Sequence, residues 1–223
     1  TLLLLLFLCF GCGDEPGPGS VVPAPDSLSL TGTWKYRIEK SLPFAGSRGE
    51  KHTDPGICGE ALTWADPETS DAGWEPIDLP DTFEHGLLNL DGALWFRKTI
   101  AIPEEWAGRP LIVQLGTIDD LDTAYWNGRK IGETNASVDK FHMHRRRYPV
   151  PADRVRSGPN VLAVRIWDAY LKGGFTGAEQ DMFVVPPGDT AATPIPLAGL
   201  WRLAIERRLQ PRQSHRDIAH DWF

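Results

Sequence analysis

The sequence is poor in sulfur, in excess positive charge and in long apolar segments. Its 223 residues include only three cysteines and two methionines, too few for a disulfide scaffold. Lys and Arg number 23 against 30 Asp and Glu, which gives a formal charge of -7. We expect no binding of nucleic acid or of an acidic membrane surface, because both need a basic face that releases counterions. Nine Trp and nine Phe exclude disorder along the whole chain, and the length suits one domain with flanking segments.

The longest apolar run lies at the start of the chain and is too short to span a bilayer. Residues 2–10 read LLLLLFLCF, whereas a transmembrane helix needs about 20 residues. The run is typical of a secretory signal, and because the first residue is Thr, the charged start of that signal is expected to be missing. Gly11-Cys12 resembles the processing site of a bacterial lipoprotein, although Cys9 stands where that family usually has Leu.

These features predict a signal over residues 1–12 and a Pro- and Gly-rich linker over residues 13–26. The protein is expected to be exported to the periplasm or cell surface and to touch the membrane only through a lipid on Cys12. A plain secretory leader without lipid is the alternative. An acylated Cys12 leaves Cys58 without an intrachain partner, and its ICGE context carries no catalytic signature, so we interpret Cys58 as a structural thiol.

Alternation of apolar and polar residues dominates the middle of the chain. It predicts strands over residues 95–102, 111–115 and 160–168, and Asn127-Gly128 predicts a tight hairpin between two further strands. A strand over RRRYPV places Arg146 on the face opposite Arg145 and Arg147. PEEWAG and PADRVRSG are typical of single helical turns, and no long amphipathic helix is evident. The predicted fold class is therefore all-β, an antiparallel sandwich.

An internal repeat defines the predicted domain organisation. Residues 30–43 and 197–211 share the pattern L-x-G-x-W-basic-x-x-I-E, which indicates one opening strand used twice. We predict a module over 27–185, a linker over 186–196, and a segment over 197–223. That last segment is interpreted as a truncated second module or as a tail, either poorly packed or docked on the sandwich.

Several motifs in this order resemble known jelly-roll domains. WADPETSDAGWEPIDLPDTFE and GALWFRKTIAIPEEWAG resemble the sugar-binding domain of family-two glycoside hydrolases. LGTIDDLDTAYWNGRKIGET and RRRYPVPADRVRSGPNVLAVRIWD are closer to the β-galactosidase-like jelly roll inserted in bacterial sialate O-acetylesterases. The resemblance covers residues 30–183 and implies a galactose-binding-like jelly-roll β-sandwich.

Candidate ligand contacts lie on loops and at the expected rim of the sandwich. Asp119, Asp120 and Asp122 begin a strand where carboxylates either hold loops together or accept hydrogen bonds from sugar hydroxyls. Arg145 offers a guanidinium to a carboxylate such as that of a sialic acid. The predicted ligand-binding residues are Glu84, His85, Asp119, Asp120, Trp126 and Arg145.

No catalytic residue, metal site or cofactor is predicted for this chain. The sequence has neither a GQSN-like serine block nor a G-x-S-x-G elbow, so the Asp217-x-x-His220 pair has no nucleophile to activate. In family-two enzymes the acid and nucleophile belong to a separate barrel domain. His142 and His144 with Asp139 make a conceivable metal site, but a third ligand is not evident.

The function expected from these observations is that of a non-catalytic module that binds or braces glycans or their processing machinery. Its expected partners are a glycan or glycoside and a catalytic domain or partner chain. The alternative is a fragment of a sialate O-acetylesterase or a family-two glycoside hydrolase whose catalytic part lies elsewhere. A purely structural surface lipoprotein is a third option.

Overall fold

The computed structural model describes residues 54–82, 91–168 and 173–208. The predicted signal, the first linker, Cys12, the first copy of the repeat, Glu84, His85 and the Asp217–His220 pair lie outside these residues. Within them the regular structure is strand and short 3₁₀ turns, which confirms the predicted all-β class. None of the described helices has the length and apolar character needed to cross a membrane.

The strands, numbered in chain order, are β1 Glu75–Leu79, β2 Gly92–Ile102, β3 Leu111–Asp119, β4 Leu121–Trp126, β5 Arg129–Thr134, β6 Arg145–Val150, β7 Gly158–Asp168, β8 Gly174–Phe175, β9 Met182–Val185, β10 Ile195–Pro196 and β11 Gly199–Arg208. The 3₁₀ turns are Gly59–Thr63, Glu104–Trp106, Phe141–Met143, Ala152–Arg154 and Glu179–Asp181.

The strands form two antiparallel sheets that pack face to face. The larger sheet has the order β1-β11-β2-β7-β4-β5, and the smaller has the order β10-β9-β3-β6 with β8 paired to the end of β3. Between them lies one apolar cluster with members from both sheets, among them Leu94, Val113, Val164 and Val184, all fully buried. This arrangement is the predicted β-sandwich.

The first six residues of strand β2, residues 92–97, are buried on both faces. Phe96 and Ile100 point into the space between the sheets, as the alternation predicted. Trp95 and Arg97 point to the outer face of the larger sheet, where the chain around Ala61 and Trp64 covers them. Arg97 fixes that covering segment, because its guanidinium donates to the carbonyls of residues 64, 66 and 69 and also contacts the Asp71 carboxylate at 3.3 Å.

The β4–β5 hairpin turns at the predicted Asn-Gly pair. Asn127 and Gly128 have φ values of 48° and 79°, the positive values that a tight primed turn requires. Asn127 accepts a hydrogen bond from the Val161 amide at 2.9 Å and donates to the Asn160 side chain at 2.8 Å. Asn160 in turn donates to the carbonyls of Arg156 and Gly158, so it holds its own turn as predicted.

Residues 199–208, the described part of the segment predicted over 197–223, form a strand of the sandwich, and docking on the sandwich was one of the two expectations for that segment. β11 lies between β1 and β2 in the larger sheet and is paired with both. Its Trp201 and Leu203 are buried in the common core, and β10, inside the predicted linker, pairs with β9. Residues 199–208 therefore belong to the same sandwich as the residues before position 185.

Gly132 provides a test of the packing between β5 and β6. A Cβ added at this position would lie 2.1 Å from Cδ1 of Tyr148. We expect Gly132→Ala to lower the free energy of unfolding by about 1–3 kcal/mol, because the Tyr148 ring must move away. Urea denaturation measures the effect. Gly73→Ala is the matched control, since nothing lies within 4 Å of an added Cβ there, and equal losses in the two variants would contradict the packing described.

Candidate functional site

Three predicted contact residues meet at one rim of the sandwich, at the end of β3. Asp119 is the last residue of β3 and pairs with Gly174, while Thr117 pairs with Arg145 at the start of β6. Asp120 follows directly and carries a half-buried side chain. Thr82 also bridges to Gly174, so the chain reaches this rim just before residues 83–90. The rim therefore assembles Asp119, Asp120 and Arg145.

Hydrogen bonds between loops already use part of this rim. The Arg145 guanidinium donates to the Asp181 carboxylate at 2.8 Å, and its side chain remains 70% exposed. The hydroxyls of Thr117 and Thr176 lie 2.9 Å apart. Arg145 is thus accessible to an external carboxylate, but Asp181 offsets much of its charge. His142 and His144 are exposed nearby, and no cluster of three metal-binding side chains occurs in the described residues.

Trp126 lies in the core of the sandwich and not at its exposed rim, a position that does not support its place among the predicted binding residues. Its side chain is fully buried, and the indole NH donates to the Arg154 carbonyl at 3.1 Å. Trp126 shares the inward face of β4 with Ala124, so alternation counted back from the hairpin would have identified it as a core residue.

A buried polar network joins the two sheets beneath the rim. Asp122 on β4 accepts from Arg146 Nε at 2.7 Å and from the Tyr148 hydroxyl at 2.7 Å. Arg146 also donates to the carbonyls of Asp120, Phe141 and His144. Thr134 on β5 completes the network, 2.8 Å from the Tyr148 hydroxyl. The side chains of Asp122 and Arg146 are both 0% exposed.

Burial is the largest influence on the pKa values of Asp122 and Tyr148 in this network. Burial raises the pKa of Asp122 above its ordinary value of 3.8, while Arg146 and Tyr148 act in the opposite direction. Burial and the neighbouring carboxylate also raise the pKa of the Tyr148 hydroxyl, which therefore remains a hydrogen-bond donor. Asp122 thus holds loops together, the first of the two roles considered for this group of carboxylates.

A second charged cluster lies on the outer face of the larger sheet. Arg165 on β7 is held between two carboxylates: Glu206 accepts from its Nε at 2.6 Å, and Asp54 accepts from both terminal nitrogens. Glu206 also accepts from the Trp95 indole NH at 2.7 Å. Although burial opposes the charge, the bonds to Glu206 and Asp54 raise the pKa of Arg165. Tyr125 stacks on Trp95 beside this cluster, with ring centroids 5.5 Å apart.

This cluster borders a pocket of about 110 Å³ that the sequence analysis missed. The pocket opens beside the ends of β4 and β5, and its lining combines charged, amide, hydroxyl and apolar groups from Asp54, Leu121, Asp122, Thr123, Glu133, Thr134, Asn135, Arg165 and Trp167. Asp54 and Arg165 are 111 positions apart. No local sequence pattern connects residues so far apart in the chain, so the sequence alone could not predict that they meet at this pocket.

Cys58 lies in the segment that covers the outer face. It is a half-buried free thiol, and Arg207 donates to its sulfur at 3.4 Å. This position between the covering segment and β11 agrees with the structural role predicted for Cys58.

No family model and no curated protein matches this chain. Among solved structures it is similar to a Bacteroides uniformis β-glucuronidase 2, with 20% identity over 67% of this chain and 16% of that one and a TM-score of 0.42. It is also similar to a β-glucuronidase of glycoside hydrolase family 2, with 21% identity, 45% and 12% coverage and a TM-score of 0.39. A β-D-mannosidase from Dictyoglomus thermophilum gives 27% identity, 33% and 8% coverage and a TM-score of 0.28.

These structural neighbours are family-2 glycoside hydrolase chains of low identity, matched over part of this chain. The chain spans less than one fifth of the length of each of the three.

Proposed function

We propose that this chain is a non-catalytic β-sandwich module that binds or braces carbohydrate within an exported carbohydrate-active protein. The motifs that resemble the jelly roll of sialate O-acetylesterases and of family-two glycoside hydrolases support the proposal. Their described parts fold as β2, the β4–β5 hairpin, β6 and β7 of one sandwich. Membership of a sialate O-acetylesterase-like protein, and a lipid anchor on Cys12, belong to this proposal.

The observation that carries the proposal is how two carboxylates with buried side chains are used. Asp122 and Glu206 have side-chain exposures of 0% and 1%, and each is paired with an arginine. A glycosidase instead places two carboxyl groups about 5–10 Å apart on either side of a sugar. Carboxylates enclosed among protein donors stabilise the sandwich, whereas a general acid or nucleophile must reach a substrate. The geometry therefore favours support over catalysis.

The purified chain tests this proposal directly. We expect no turnover of p-nitrophenyl acetate or of p-nitrophenyl β-galactoside above the buffer rate. The sequence has neither a GQSN-like serine block nor a G-x-S-x-G elbow, and the family-two enzymes that it resembles carry their acid and nucleophile on a separate barrel domain. Hydrolysis that co-purifies with the chain and saturates with substrate would overturn the non-catalytic role. The alternative, a hydrolase fragment whose catalytic part lies elsewhere, also predicts no turnover by this chain. Translation of the genomic DNA on both sides distinguishes it, because a GQSN block or barrel strands there would support the fragment. Calorimetric titration with a β-galactoside and an acetylated sialoside tests binding, and silence with both would leave only the bracing role.

Mass spectrometry of the mature N-terminus tests the export part of the proposal. A diacylglycerol-modified Cys12 is the expected first residue. An unlipidated chain that starts beyond Cys12 would replace the anchor with a plain secretory leader.

A further inference from the structure

We infer that the outer-face pocket is a binding site for one neutral or amino-bearing sugar residue and that it selects against carboxylated sugars. The inference rests on the proposed carbohydrate-binding function and places it in a pocket beside the rim rather than at Arg145 on the rim itself. Its volume of about 110 Å³ lies well below the roughly 300–1,000 Å³ of pockets for drug-sized ligands. The pocket therefore suits one sugar residue or the end of a chain rather than an oligosaccharide.

The lining supplies both partners that a hydroxyl group needs. Glu133 is an acceptor, and the salt bridge from Lys130 at 2.6 Å lowers the pKa of this carboxyl, so it stays ionised in mildly acidic solution. The Asn135 amide nitrogen donates one of its two protons to the Glu133 carboxylate at 3.4 Å, which leaves the other proton and the Thr123 hydroxyl as donors. Leu121 and Trp167 supply apolar surface for the C–H groups of a sugar ring. A small number of polar groups on apolar walls is the usual composition of a small-molecule site.

The local charge determines the class of sugar. The pocket's charged lining residues and their salt-bridge partners comprise four carboxylates and three cations, which leaves one negative charge in excess. The carboxylates are Asp54, Asp122, Glu133 and Glu206, and the cations are Arg146, Arg165 and Lys130. Arg165 is already enclosed by Asp54 and Glu206, so it is not offered to an external carboxylate. A uronic or sialic acid would bring a second negative charge beside Glu133, whereas an amino sugar would bring a compensating one. The pocket thus differs from the rim, where Arg145 is exposed.

The test is a titration of the full chain with three matched probes, in which binding is measured by NMR chemical shifts and by calorimetry. The probes are methyl β-D-galactopyranoside, D-galactosamine and D-galacturonic acid. We expect the first two to bind with dissociation constants on the order of 1 mM and the galacturonate to bind at least about tenfold more weakly. Raising the salt concentration should weaken galactosamine binding and leave the neutral galactoside unchanged.

Variants locate the site. Glu133→Ala removes the exposed acceptor and should weaken binding of the galactoside about tenfold or more, since a hydrogen bond to a charged group is lost. Glu105→Ala near the far end of β2 is the matched control and should leave binding unchanged. Arg145→Ala reports separately on the rim. Neither residue lines the pocket, and urea denaturation of each variant checks that the chain is folded.

The outcomes separate this inference from the proposed function. Loss of binding in Arg145→Ala but not in Glu133→Ala overturns the pocket and leaves carbohydrate binding at the rim. Tighter binding of galacturonate than of the other probes overturns the sugar class. Absence of binding to all three probes overturns the pocket, and only silence with the sialoside as well removes the binding half of the proposed function.

Discussion

Replacement of Arg146 by methionine is expected to lower the free energy of unfolding by about 3–5 kcal/mol at pH 7. Methionine fills much of the same volume but leaves the Asp122 carboxylate buried without its cation. It also removes the donors to the carbonyls of Asp120, Phe141 and His144. Removing one partner of a buried ion pair costs more than the pair contributes, because the remaining charge stays out of water. Urea denaturation followed by tryptophan fluorescence measures the change.

Arg147→Met is the matched control for this prediction. Arg147 is the next residue on β6, and alternation places it on the exposed face of the same strand. A change within about 0.5 kcal/mol is expected there. Similar losses in the two variants would show that a methionine in β6, and not the loss of the ion pair, destabilises the sandwich.

The deficit of Arg146→Met, which is the free energy of unfolding that it loses relative to the wild type, should increase with pH. Burial already raises the pKa of Asp122, and the loss of Arg146 removes an opposing influence and raises it further. A carboxyl group whose pKa is higher in the folded chain favours folding below its ordinary value of 3.8, and that contribution is lost as the pH rises through the folded value. The deficit relative to the wild type should therefore be smallest near pH 4 and should grow toward pH 7. A deficit that does not change with pH would exclude the carboxylate as its cause.

The strands were predictable because their signals are local. Alternation in β2, β3 and β7 depends only on which face of a strand is buried, and the Asn127-Gly128 turn depends on two residues that accept positive φ. The separation of Arg146 from Arg145 and Arg147 follows from the same period of two, and the structure confirms it. Local patterns therefore predicted β2, β3, β6, β7 and the β4–β5 hairpin, whereas β1, β8, β9 and β10 were not predicted.

Pairing between distant segments was not predictable from one sequence. The repeat correctly indicated a strand near Trp201, but it carried no information on which strands flank it, and β11 pairs with both β1 and β2. The outer-face cluster was not predictable for the same reason, because Arg165 contacts Asp54 and Glu206, which are 111 and 41 residues away in the sequence. The burial of Trp126 differs from the prediction for another reason. A position beside a hairpin tip favours exposure, but Trp126 alternates in phase with Ala124 and therefore lies on the inward face of β4.

Replacement of Trp201 by alanine should destabilise the sandwich by about 3–5 kcal/mol, the usual cost of truncating a large core aromatic side chain. The Trp201 side chain is 1% exposed and packs near Phe175, with ring centroids 5.9 Å apart. Its indole NH donates to the Leu197 carbonyl at 2.7 Å, and that bond is lost as well. The effect is expected because β11 is an interior strand of the larger sheet, so a cavity at Trp201 opens in the core shared by both sheets.

Leu200→Ala tests the same segment without touching the core. Leu200 precedes Trp201 on β11 but is 56% exposed, so its truncation should change the free energy of unfolding by less than about 0.5 kcal/mol. If residues 197–208 were a tail that the sandwich does not need, both substitutions would be nearly neutral and the rest of the chain would unfold at the wild-type urea concentration. A large loss for Trp201→Ala beside a small one for Leu200→Ala requires instead that β11 folds and unfolds together with β1, β2 and β7.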